Sequence, residues 1–364
     1  MSEERFDAEA LRQFAQRIVT ALHAPAEVAD EVARHLVRAN LSGQDSHGVL
    51  RLPQYAGQAD RGELEPRNRP RVIRQTTATA LVDAQRGFGH YAAHMALDVA
   101  ARKAGEHGVG AAVIRHCTHV GRLGEFTERC DELGLVLMMT VGMAGPGVGG
   151  VVAYGGRERF FGANVWSIGI PGKESGMVFD ASMASIAVGK VYVAKAAGRD
   201  LPPGCLVDRD GIPSIDPDDY FAGGAVIPLG GEVAAHKGFG LGLAAALLGG
   251  LAMIGDEAPT LAGAPVAAGA TPIGRMAGVF LVAIDPDAFG GLAPYRALVE
   301  DCLAALRAVE PAPGSDAIKV PGQRSRDSRR ERTHLGVPLA AATCQELAAL
   351  GRRFNVEFPP ALAD

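Results

Sequence analysis

The sequence predicts an α/β fold, because β-branched segments and amphipathic segments alternate through the middle of the 364-residue chain. Towards both ends the pattern changes to apolar residues at three- and four-residue spacing, which predicts helices. The 47 glycines are concentrated between positions 105 and 291, where they indicate many tight turns. These three observations favour a central α/β unit flanked by helical segments.

The N-terminal part of the chain predicts helices joined by short turns. An amphipathic helix follows a possible Asp7 cap, and a second helix occupies residues 26–41 before Ser42 and Gly43 end it. A polar turn then leads to an apolar stretch over residues 49–59, where Pro53 fits a helix only in its first turn.

The central part predicts strands and helices in alternation. A strand or hairpin is expected over residues 71–83 and a helix over 91–106. Further strands are predicted over residues 109–114, 135–141, 165–170 and 279–284, and further helices over 123–132, 182–197, 239–251 and 295–309. After Pro311 the chain is polar and arginine-rich, and a last helix is expected over residues 343–354.

Composition excludes several classes of protein. Hydrophobic residues make up 48% and charged residues 21%, which excludes a disordered or collagen-like chain. The net charge of −5, with both signs mixed, predicts no nucleic-acid partner. The apolar stretch over residues 238–254 is rich in glycine and too short to predict a membrane span, and no secretory signal is evident, so we expect a cytoplasmic protein. Five cysteines without Cys-x-x-Cys spacing indicate reduced thiols and no zinc site.

Two motifs suggest ligand sites that the surrounding sequence does not support. Residues 145–150 satisfy Gly-x-Gly-x-x-Gly after an apolar strand, but no helix is predicted to follow whose N-terminus could face a pyrophosphate. We interpret this segment as a glycine-rich loop rather than a Rossmann fingerprint. His90 and His94 lie four apart on a predicted helix without an acidic residue at a metal-binding spacing, so we predict no metal site.

The segment around His47 combines residue types suited to the reduction of a 2-oxo acid. Residues four apart on a helix lie one above another, so His47, Arg51 and Tyr55 could face one cavity. Arginine binds a planar carboxylate through two parallel hydrogen bonds, and histidine exchanges protons near neutrality. Ser46 could orient the imidazole. The alternative is a plain turn between helices with a surface arginine.

Four further segments contain candidate ligand contacts. His119, between a predicted strand and a predicted helix, is either an acid/base or cofactor group or a buried histidine bonded to backbone. Asp180 could accept from a ribose hydroxyl or simply cap a helix. Lys237, one of only six lysines, lies among glycines at a predicted helix start, where it suits an anion or is solvated. Arg324 follows a Pro-Gly turn that suits a phosphate or is an ordinary turn.

Taken in order, these motifs resemble the type 2 malate/L-lactate dehydrogenase family over nearly the whole chain. The segments that carry the resemblance are Ser46-His47-Gly48 with Arg51 and Tyr55, His119-Val120-Gly121, Phe161-Gly162-Ala163-Asn164, Asp180-Ala181-Ser182, Pro228-Leu229-Gly230-Gly231, Lys237-Gly238-Phe239-Gly240-Leu241 and Pro321-Gly322. The run from His119 to Glu125 is most similar to the hydroxycarboxylate dehydrogenase branch of that family.

The resemblance implies a non-Rossmann, mixed-sheet nicotinamide-binding domain over residues 73–309, inserted in a mainly helical domain of residues 1–72 and 310–364. It also implies a homodimer with its active site near the subunit interface and NAD or NADP as cofactor. The implied reaction is reversible hydride transfer between NAD(P)H and a small 2-oxo acid, which yields a 2-hydroxy acid. A cyclic imino acid reductase acting on piperideine- or pyrroline-2-carboxylate, and a catalytically silent nucleotide-binding relative, are the alternatives.

The resemblance also implies roles for individual residues. His47, Ser46 and His119 are expected to be catalytic, and Arg51 and Tyr55 to bind substrate. Relatives differ in which histidine transfers the proton, and the position of His47 beside Ser46 and Arg51 favours His47. Cofactor contacts are implied for His119, Val120, Gly121, Arg122, Leu123, Asp180, Ala181, Ser182, Lys237, Gly322, Gln323 and Arg324.

Three segments depart from the family pattern. Gly162-Ala163-Asn164-Val165 stands where relatives usually have Gly-Thr-Asn-Pro, so the substrate is left open. The hydroxyl residues after Asp180 are shifted, and Val141-Gly142-Met143 replaces a common Asn-Ser pair, so cofactor contacts at that point cannot be transferred.

Overall fold

The computed structural model describes residues 3–254 and 276–363 of the chain. Its helices are α1 (Ala8–Ala21), α2 (Ala26–Leu41), α3 (Leu52–Asp60), α4 (Gly89–His107), α5 (Gly124–Thr127), α6 (Cys130–Leu133), α7 (Val188–Ala196), α8 (Pro217–Phe221), α9 (Gly231–Gly250), α10 (Leu292–Arg307), α11 (Gln323–Leu335) and α12 (Ala341–Phe354). Its strands are β1 (Glu3–Phe6), β2 (Arg71–Gln75), β3 (Thr79–Asp83), β4 (Val109–Arg115), β5 (Val136–Ala144), β6 (Val151–Val152), β7 (Arg159–Phe161), β8 (Val165–Ile170), β9 (Met177–Ala181), β10 (Leu206–Val207), β11 (Pro213–Ser214), β12 (Ala225–Val226), β13 (Met276–Ile284) and β14 (Val337–Ala340).

The strands form two sheets. β1 and β14 make an antiparallel pair, which joins the first strand of the chain to the last. All other strands belong to one mixed sheet with the order β11-β10-β12-β6-β7-β5-β13-β4-β3-β2, while β8 pairs with β5 and β9 with β8. β3 runs parallel to β4 and β12 parallel to β6, and the remaining pairs are antiparallel. The predicted α/β class and mixed sheet are confirmed.

The N-terminal helices form as their sequence pattern predicts. Asp7 caps α1 by accepting a hydrogen bond from the Ala10 backbone N–H at 2.8 Å. α2 ends where Gly43 takes a positive φ of 75°. The apolar faces of both helices share one core with β14 and α12, whose buried residues come from positions 6–64, Phe88 and positions 337–356. The division of the chain into two domains stays a prediction.

Helix α9 packs against the large sheet at glycines. A Cβ atom on Gly142 of β5 would lie 2.3 Å from the backbone of Ala245, and one on Gly249 would lie 2.6 Å from the Gly278 carbonyl oxygen. Only glycine permits backbones to approach this closely. By length and composition the segment Gly231–Met253 is long and apolar enough to cross a membrane, but core helices share these properties, and this helix packs on β5 and β13.

Several predicted elements differ in their limits. The helix expected over residues 123–132 is divided into α5 and α6, because the Arg129 N–H bonds to the Phe126 carbonyl oxygen three residues earlier and ψ at Arg129 is −4°. The helix expected over 182–197 begins only at Val188, because Met183 and Ser185 donate backbone hydrogen bonds to other segments instead. α11, β1 and β14 and the short strands were not predicted. All five cysteines are free, as expected.

Candidate active site

The Ser46-His47-Gly48 segment forms a tight corner between α2 and α3. Two 3-10 turns, Asp45–His47 and Val49–Arg51, replace the regular helix that i, i+4 stacking would need. A Cβ on Gly48 would lie 2.1 Å from the amide oxygen of Asn40, which accepts from the Val49 N–H at 2.9 Å, so glycine is required there. Ser46 Oγ lies 3.0 Å from His47 Nδ1, as predicted for an orienting hydroxyl.

His47 and His119 lie face to face. Their ring centroids are 5.5 Å apart with 24° between the planes. Burial, reinforced by the charges of Arg51 and Arg122, lowers the pKa of His47 to about 4. Burial also lowers the pKa of His119 well below its usual range, with His47, His90 and Arg51 contributing. Both imidazoles are therefore neutral near pH 7.

Tyr55 does not face an open cavity. Its side chain is 2% exposed, and its hydroxyl lies 2.8 Å from His119 Nδ1 and 3.3 Å from His90 Nε2. The expected position of Tyr55 on an open cavity with His47 and Arg51 is therefore not observed, and its substrate-binding role stays a prediction. Two 3-10 turns precede α3, whereas the prediction assumed one continuous α-helix.

Arg51 stays beside the histidine pair. Its Nε donates to the Ser46 carbonyl oxygen at 2.6 Å, and its Nη1 donates to Gln54 Oε1 at 2.6 Å. Its positive charge contributes to the lowered pKa of both His47 and His119. The structure thus brings the predicted guanidinium and both predicted imidazoles together.

The loop after β4 contributes backbone more than side chains. Val120 and Leu123 are each 4% exposed and pack in the core, so a contact of either residue with a cofactor would come from its backbone atoms. Gly121 has φ of 78°, and a Cβ there would lie 2.1 Å from His35 Nε2. The next backbone N–H, that of Arg122, donates to the same His35 nitrogen at 2.8 Å.

Arg122 is the centre of a buried ionic network. Its Nη2 donates to Glu128 Oε1 at 2.8 Å, and its Nη1 lies 3.3 Å from Ser42 Oγ. Arg329 of α11 contacts the other Glu128 oxygen at 2.7 Å. Burial opposes ionisation of Glu128, but Arg122 and Arg329 outweigh it and hold its pKa at about 2. The Arg122 Nε remains buried without a hydrogen-bond partner.

A cavity of about 170 Å³ adjoins this network. It is lined by Gln44, Arg122, Val178, Phe179, Asp180, Pro321, Gly322 and Ser325. The charge of Arg122 contributes to the lowered pKa of His47, so the cavity wall lies within electrostatic range of that imidazole. Sequence reasoning missed Gln44, Val178, Phe179 and Ser325, although each lies within three residues of a predicted site residue.

Asp180 lies on β9 and does not cap the helix that follows it in sequence, which corrects one predicted alternative. Its Oδ2 accepts from the Gly124 N–H at 2.8 Å and lies 3.8 Å from Arg122 Nε. Burial raises the pKa of Asp180, against the effect of both partners. Gly124 is the first residue of α5, and a backbone N–H at a helix start is a possible phosphate donor. The carboxylate of Asp180 already accepts from this N–H. Ala181 pairs with Trp166 in the sheet, and Ser182 follows the strand end.

The remaining predicted cofactor residues are more exposed. Lys237 lies within α9 and not in a loop before a helix, although the helix is kinked three residues earlier at Ala234. Gln323 and Arg324 lie in the first turn of α11, behind Gly322 with φ of 89°. Gln323 Oε1 accepts from the Val320 N–H at 3.3 Å, so its side chain closes the preceding turn.

The altered segment around Ala163 is held by structural contacts. Asn164 is 3% exposed with φ of 43°, and its amide accepts from the Met143 N–H at 3.0 Å. The same amide donates to the Gly242 carbonyl oxygen of α9 at 2.7 Å. Asn164 therefore joins β5 to α9, while Ala163 offers no side-chain hydroxyl.

An acidic cluster lies beside His94, contrary to the sequence expectation. The ligand atoms of Glu31, His35, His94 and Glu125 lie within 4.8 Å of one another. Arg34 already stands among them, with Nη1 2.9 Å from Glu125 and Nη2 3.1 Å from His94. His35 Nε2 accepts the Arg122 N–H, so its Nδ1 carries a proton towards Glu125, 3.2 Å away. We interpret this group as an ion-pair network centred on a guanidinium.

Comparison with known proteins identifies the family. The sequence model of the malate/L-lactate dehydrogenase family matches residues 6–348. The chain belongs to the malate/L-lactate dehydrogenase family. This assignment confirms the resemblance seen in the sequence motifs.

Individual family members match along most of the chain. It is 32% identical to hydroxycarboxylate dehydrogenase B of Escherichia coli over 98% of this chain and 96% of that protein. It is 32% identical to the Δ1-pyrroline-2-carboxylate reductase of Ancylobacter novellus over 90% of this chain and 92% of that protein. Among solved structures, sulfolactate dehydrogenase from Methanocaldococcus jannaschii superposes with a TM-score of 0.84 at 26% identity, covering 98% of both chains. The chain is thus an oxidoreductase of this family.

Proposed function

We propose that this protein interconverts a small 2-hydroxy acid and the corresponding 2-oxo acid with NAD or NADP. The observation that carries the proposal is the stacking of His47 on His119 beside Arg51, with the Arg122 cavity within electrostatic range of His47. These are the groups that bind a carboxylate and exchange a proton with a carbonyl oxygen.

Each residue has a distinct part in the proposed reaction. Arg51, anchored by Ser46, binds the substrate carboxylate with its remaining N–H groups. An imidazole of the His47 and His119 pair meets the carbonyl oxygen and exchanges its proton. Reduction takes up one proton from solvent overall, and oxidation releases one. Ser46 holds the His47 ring through Nδ1, which leaves Nε2 for the substrate.

The residues around the Arg122 cavity suit part of a nicotinamide dinucleotide. Arg122 Nε is a buried donor without a partner, and Asp180 offers a carboxylate oxygen to a ribose hydroxyl. Gly322 has no side chain to cover the backbone at the cavity wall, and a Cβ atom added there would lie 3.1 Å from Val178. When bound, the cofactor supplies or accepts the hydride at the substrate carbon. Family members named malate and L-lactate dehydrogenase support this assignment.

A cyclic imino acid is the second candidate substrate. The relative from Ancylobacter novellus, 32% identical, is named a Δ1-pyrroline-2-carboxylate reductase. An imine carbon beside a carboxylate accepts hydride in the same geometry as a 2-oxo acid. Ala163, which lacks the threonine hydroxyl of the family pattern, leaves room for either substrate.

A homodimer and a cytoplasmic location remain part of the proposal. The resemblance places the active site of relatives near a subunit interface, so we expect two copies of this chain to associate. Light scattering coupled to gel filtration tests this expectation, with a mass of one chain contradicting it.

A substrate screen tests the proposed activity. Purified protein is mixed with NADH or NADPH and a panel of 2-oxo acids and cyclic imino acids, and the near-ultraviolet absorbance of the reduced nicotinamide is followed. We expect oxidation of the cofactor with at least one 2-oxo acid. A double variant, His47→Gln with His119→Gln, controls for background. Cofactor binding without turnover on any substrate would favour the catalytically silent alternative.

A further inference from the structure

The Tyr55 hydroxyl lies between two buried histidines. Its oxygen is 2.8 Å from His119 Nδ1 and 3.3 Å from His90 Nε2. His90 is fully buried and Tyr55 is 2% exposed. The three groups therefore form a short hydrogen-bonded row, one end of which is the ring that stacks on His47.

When both rings are neutral, two arrangements of the protons allow the Tyr55 hydroxyl to accept a hydrogen bond from one histidine and donate one to the other. In the first, His90 Nε2–H donates to the Tyr55 oxygen, and the Tyr55 O–H donates to His119 Nδ1. His119 then carries its proton on Nε2. In the second, His119 Nδ1–H donates to Tyr55, and Tyr55 donates to His90 Nε2. His90 then carries its proton on Nδ1.

The surroundings of His90 favour the first arrangement. His90 Nδ1 is buried without a hydrogen-bond partner, and an orphaned N–H is rarer in protein interiors than an orphaned acceptor. Within the described residues, His119 Nε2 has no bonded partner, so a proton there is available to a ligand.

We propose that Tyr55 and His90 are positioning residues that hold His119 as the neutral tautomer protonated on Nε2. His119 then presents an N–H to the substrate oxygen and donates a hydrogen bond as negative charge develops there. This assigns the donor role to His119, whereas the sequence pattern favoured His47. The chemical consequence rests on the proposed function, but the tautomer is a property of the protein alone.

The tautomer is measured by long-range ¹H–¹⁵N NMR on the full chain labelled with ¹⁵N-histidine at pH 7. The His119 signal is assigned by its loss in His119→Gln. We expect a protonated Nε2 and an unprotonated Nδ1 in the unmodified protein. A protonated Nδ1 overturns the proposal. Because no substrate or cofactor is needed, the spectrum decides this point even if the screen detects no turnover.

Variants test the positioning role. Tyr55→Phe keeps the ring but removes the hydroxyl, and we expect mixed His119 tautomers with kcat lowered at least tenfold at nearly unchanged KM. Tyr91→Phe removes a different tyrosine hydroxyl and serves as the matched control. We expect this variant to keep the His119 tautomer and the kcat of the unmodified protein. An unchanged spectrum in Tyr55→Phe overturns the role.

A second pair of variants applies if Tyr55→Phe fails to fold. His90→Gln retains an amide N–H that can donate to Tyr55, whereas His90→Leu has no donor. We expect His90→Gln to preserve the His119 tautomer and His90→Leu to lose it. Equal spectra for the two variants overturn the proposal.

Discussion

The Arg51 guanidinium is anchored to the carbonyl oxygen of Ser46, with 2.6 Å between Nε and that oxygen. Because Ser46 directly precedes His47, the contact fixes the guanidinium beside the imidazole. A second contact, from Nη1 to Gln54, leaves Nη2 without a partner among the described residues. The arginine is therefore held in place with hydrogen-bonding capacity to spare, which is what carboxylate recognition needs.

Loss of this arginine should weaken substrate binding. Arg51→Gln is expected to raise KM for 2-oxo acids by about 10- to 100-fold, because a hydrogen bond to a charged group contributes ~1.5–3 kcal/mol. Steady-state kinetics measures this, and kcat should change less. Arg61→Gln, which removes an exposed ion pair to Glu63, is the control. Equal KM values for the two variants would contradict the assignment.

Loss of the stacked histidines should reduce turnover. His119→Gln is expected to lower kcat by about 10²–10⁴-fold, the usual contribution of an acid/base group. His47→Gln should cause a smaller loss. Cofactor dissociation constants, measured by fluorescence titration, should remain close to those of the unmodified protein. The reverse order of kcat effects would assign the donor role to His47.

Loss of Arg122 should weaken cofactor binding. Arg122→Gln removes a cation and a free N–H from the cavity wall, so we expect the dissociation constant of NADH or NADPH to rise about 10- to 100-fold. Arg129→Gln, which removes ion pairs with Asp98 and Glu132 and no contact with the Arg122 cavity, is the control. Unchanged affinity in Arg122→Gln would place the cofactor elsewhere.

Stability should decrease in mild acid. Four histidines have a lowered pKa in the folded state, namely the buried His35 and His90 and the partly buried His47 and His119. As the pH falls below about 6.5, these histidines take up protons in the unfolded chain but not in the folded chain. The free energy of unfolding therefore falls between about pH 6.5 and pH 4, by about 1.4 kcal/mol per pH unit for each such histidine. Burial raises the pKa of Glu125 to about 7, which acts in the opposite direction for one group.

Urea unfolding at pH 7 and pH 5 measures this dependence. His47→Gln should reduce the difference between the two pH values. His107→Gln, a change at an exposed histidine, should leave the difference as it is. A protein equally stable at both pH values would show that these imidazoles can be protonated without unfolding.

Two glycines should respond in opposite ways to alanine. Gly142→Ala places a Cβ 2.3 Å from the Ala245 backbone, so α9 would have to move away from the sheet. We expect the free energy of unfolding to fall by about 2 kcal/mol, a value typical of overpacking. Gly240 lies on an open face of α9. Gly240→Ala should therefore raise the free energy of unfolding by up to about 1 kcal/mol. Thermal unfolding of both variants compares them directly.

Local pattern was sufficient for the elements whose periodicity is strong. The helix over residues 26–41 and the strand over residues 165–170 have the limits that their sequence predicts. α11 was missed because it is almost entirely polar, so no apolar stripe marks it. Its position depends on ion pairs with distant residues, such as Arg329 with Glu128 and Arg332 with Asp45.

The sequence indicated which residues lie in the candidate site better than it indicated how they are arranged. His47, His119 and Arg51 lie near one another, and the family resemblance had assigned all three to one site. The burial of Tyr55 was not predicted, since nothing in the residue spacing distinguishes two 3-10 turns from one α-helix. Glu125 and His35 meet only through the fold, 90 positions apart in sequence, and no local pattern signals such a contact.

The pairing of β1 with β14 has a consequence for how the protein is made. Arg5 contacts Gly336, 331 positions later, so β1 can pair with β14 only after the whole intervening segment has been synthesised. The large sheet, whose described strands lie between positions 71 and 284, can close earlier. Newly made chains should therefore pass through a stage with an unpaired N-terminal strand, and that exposed edge is where chaperones would be expected to bind.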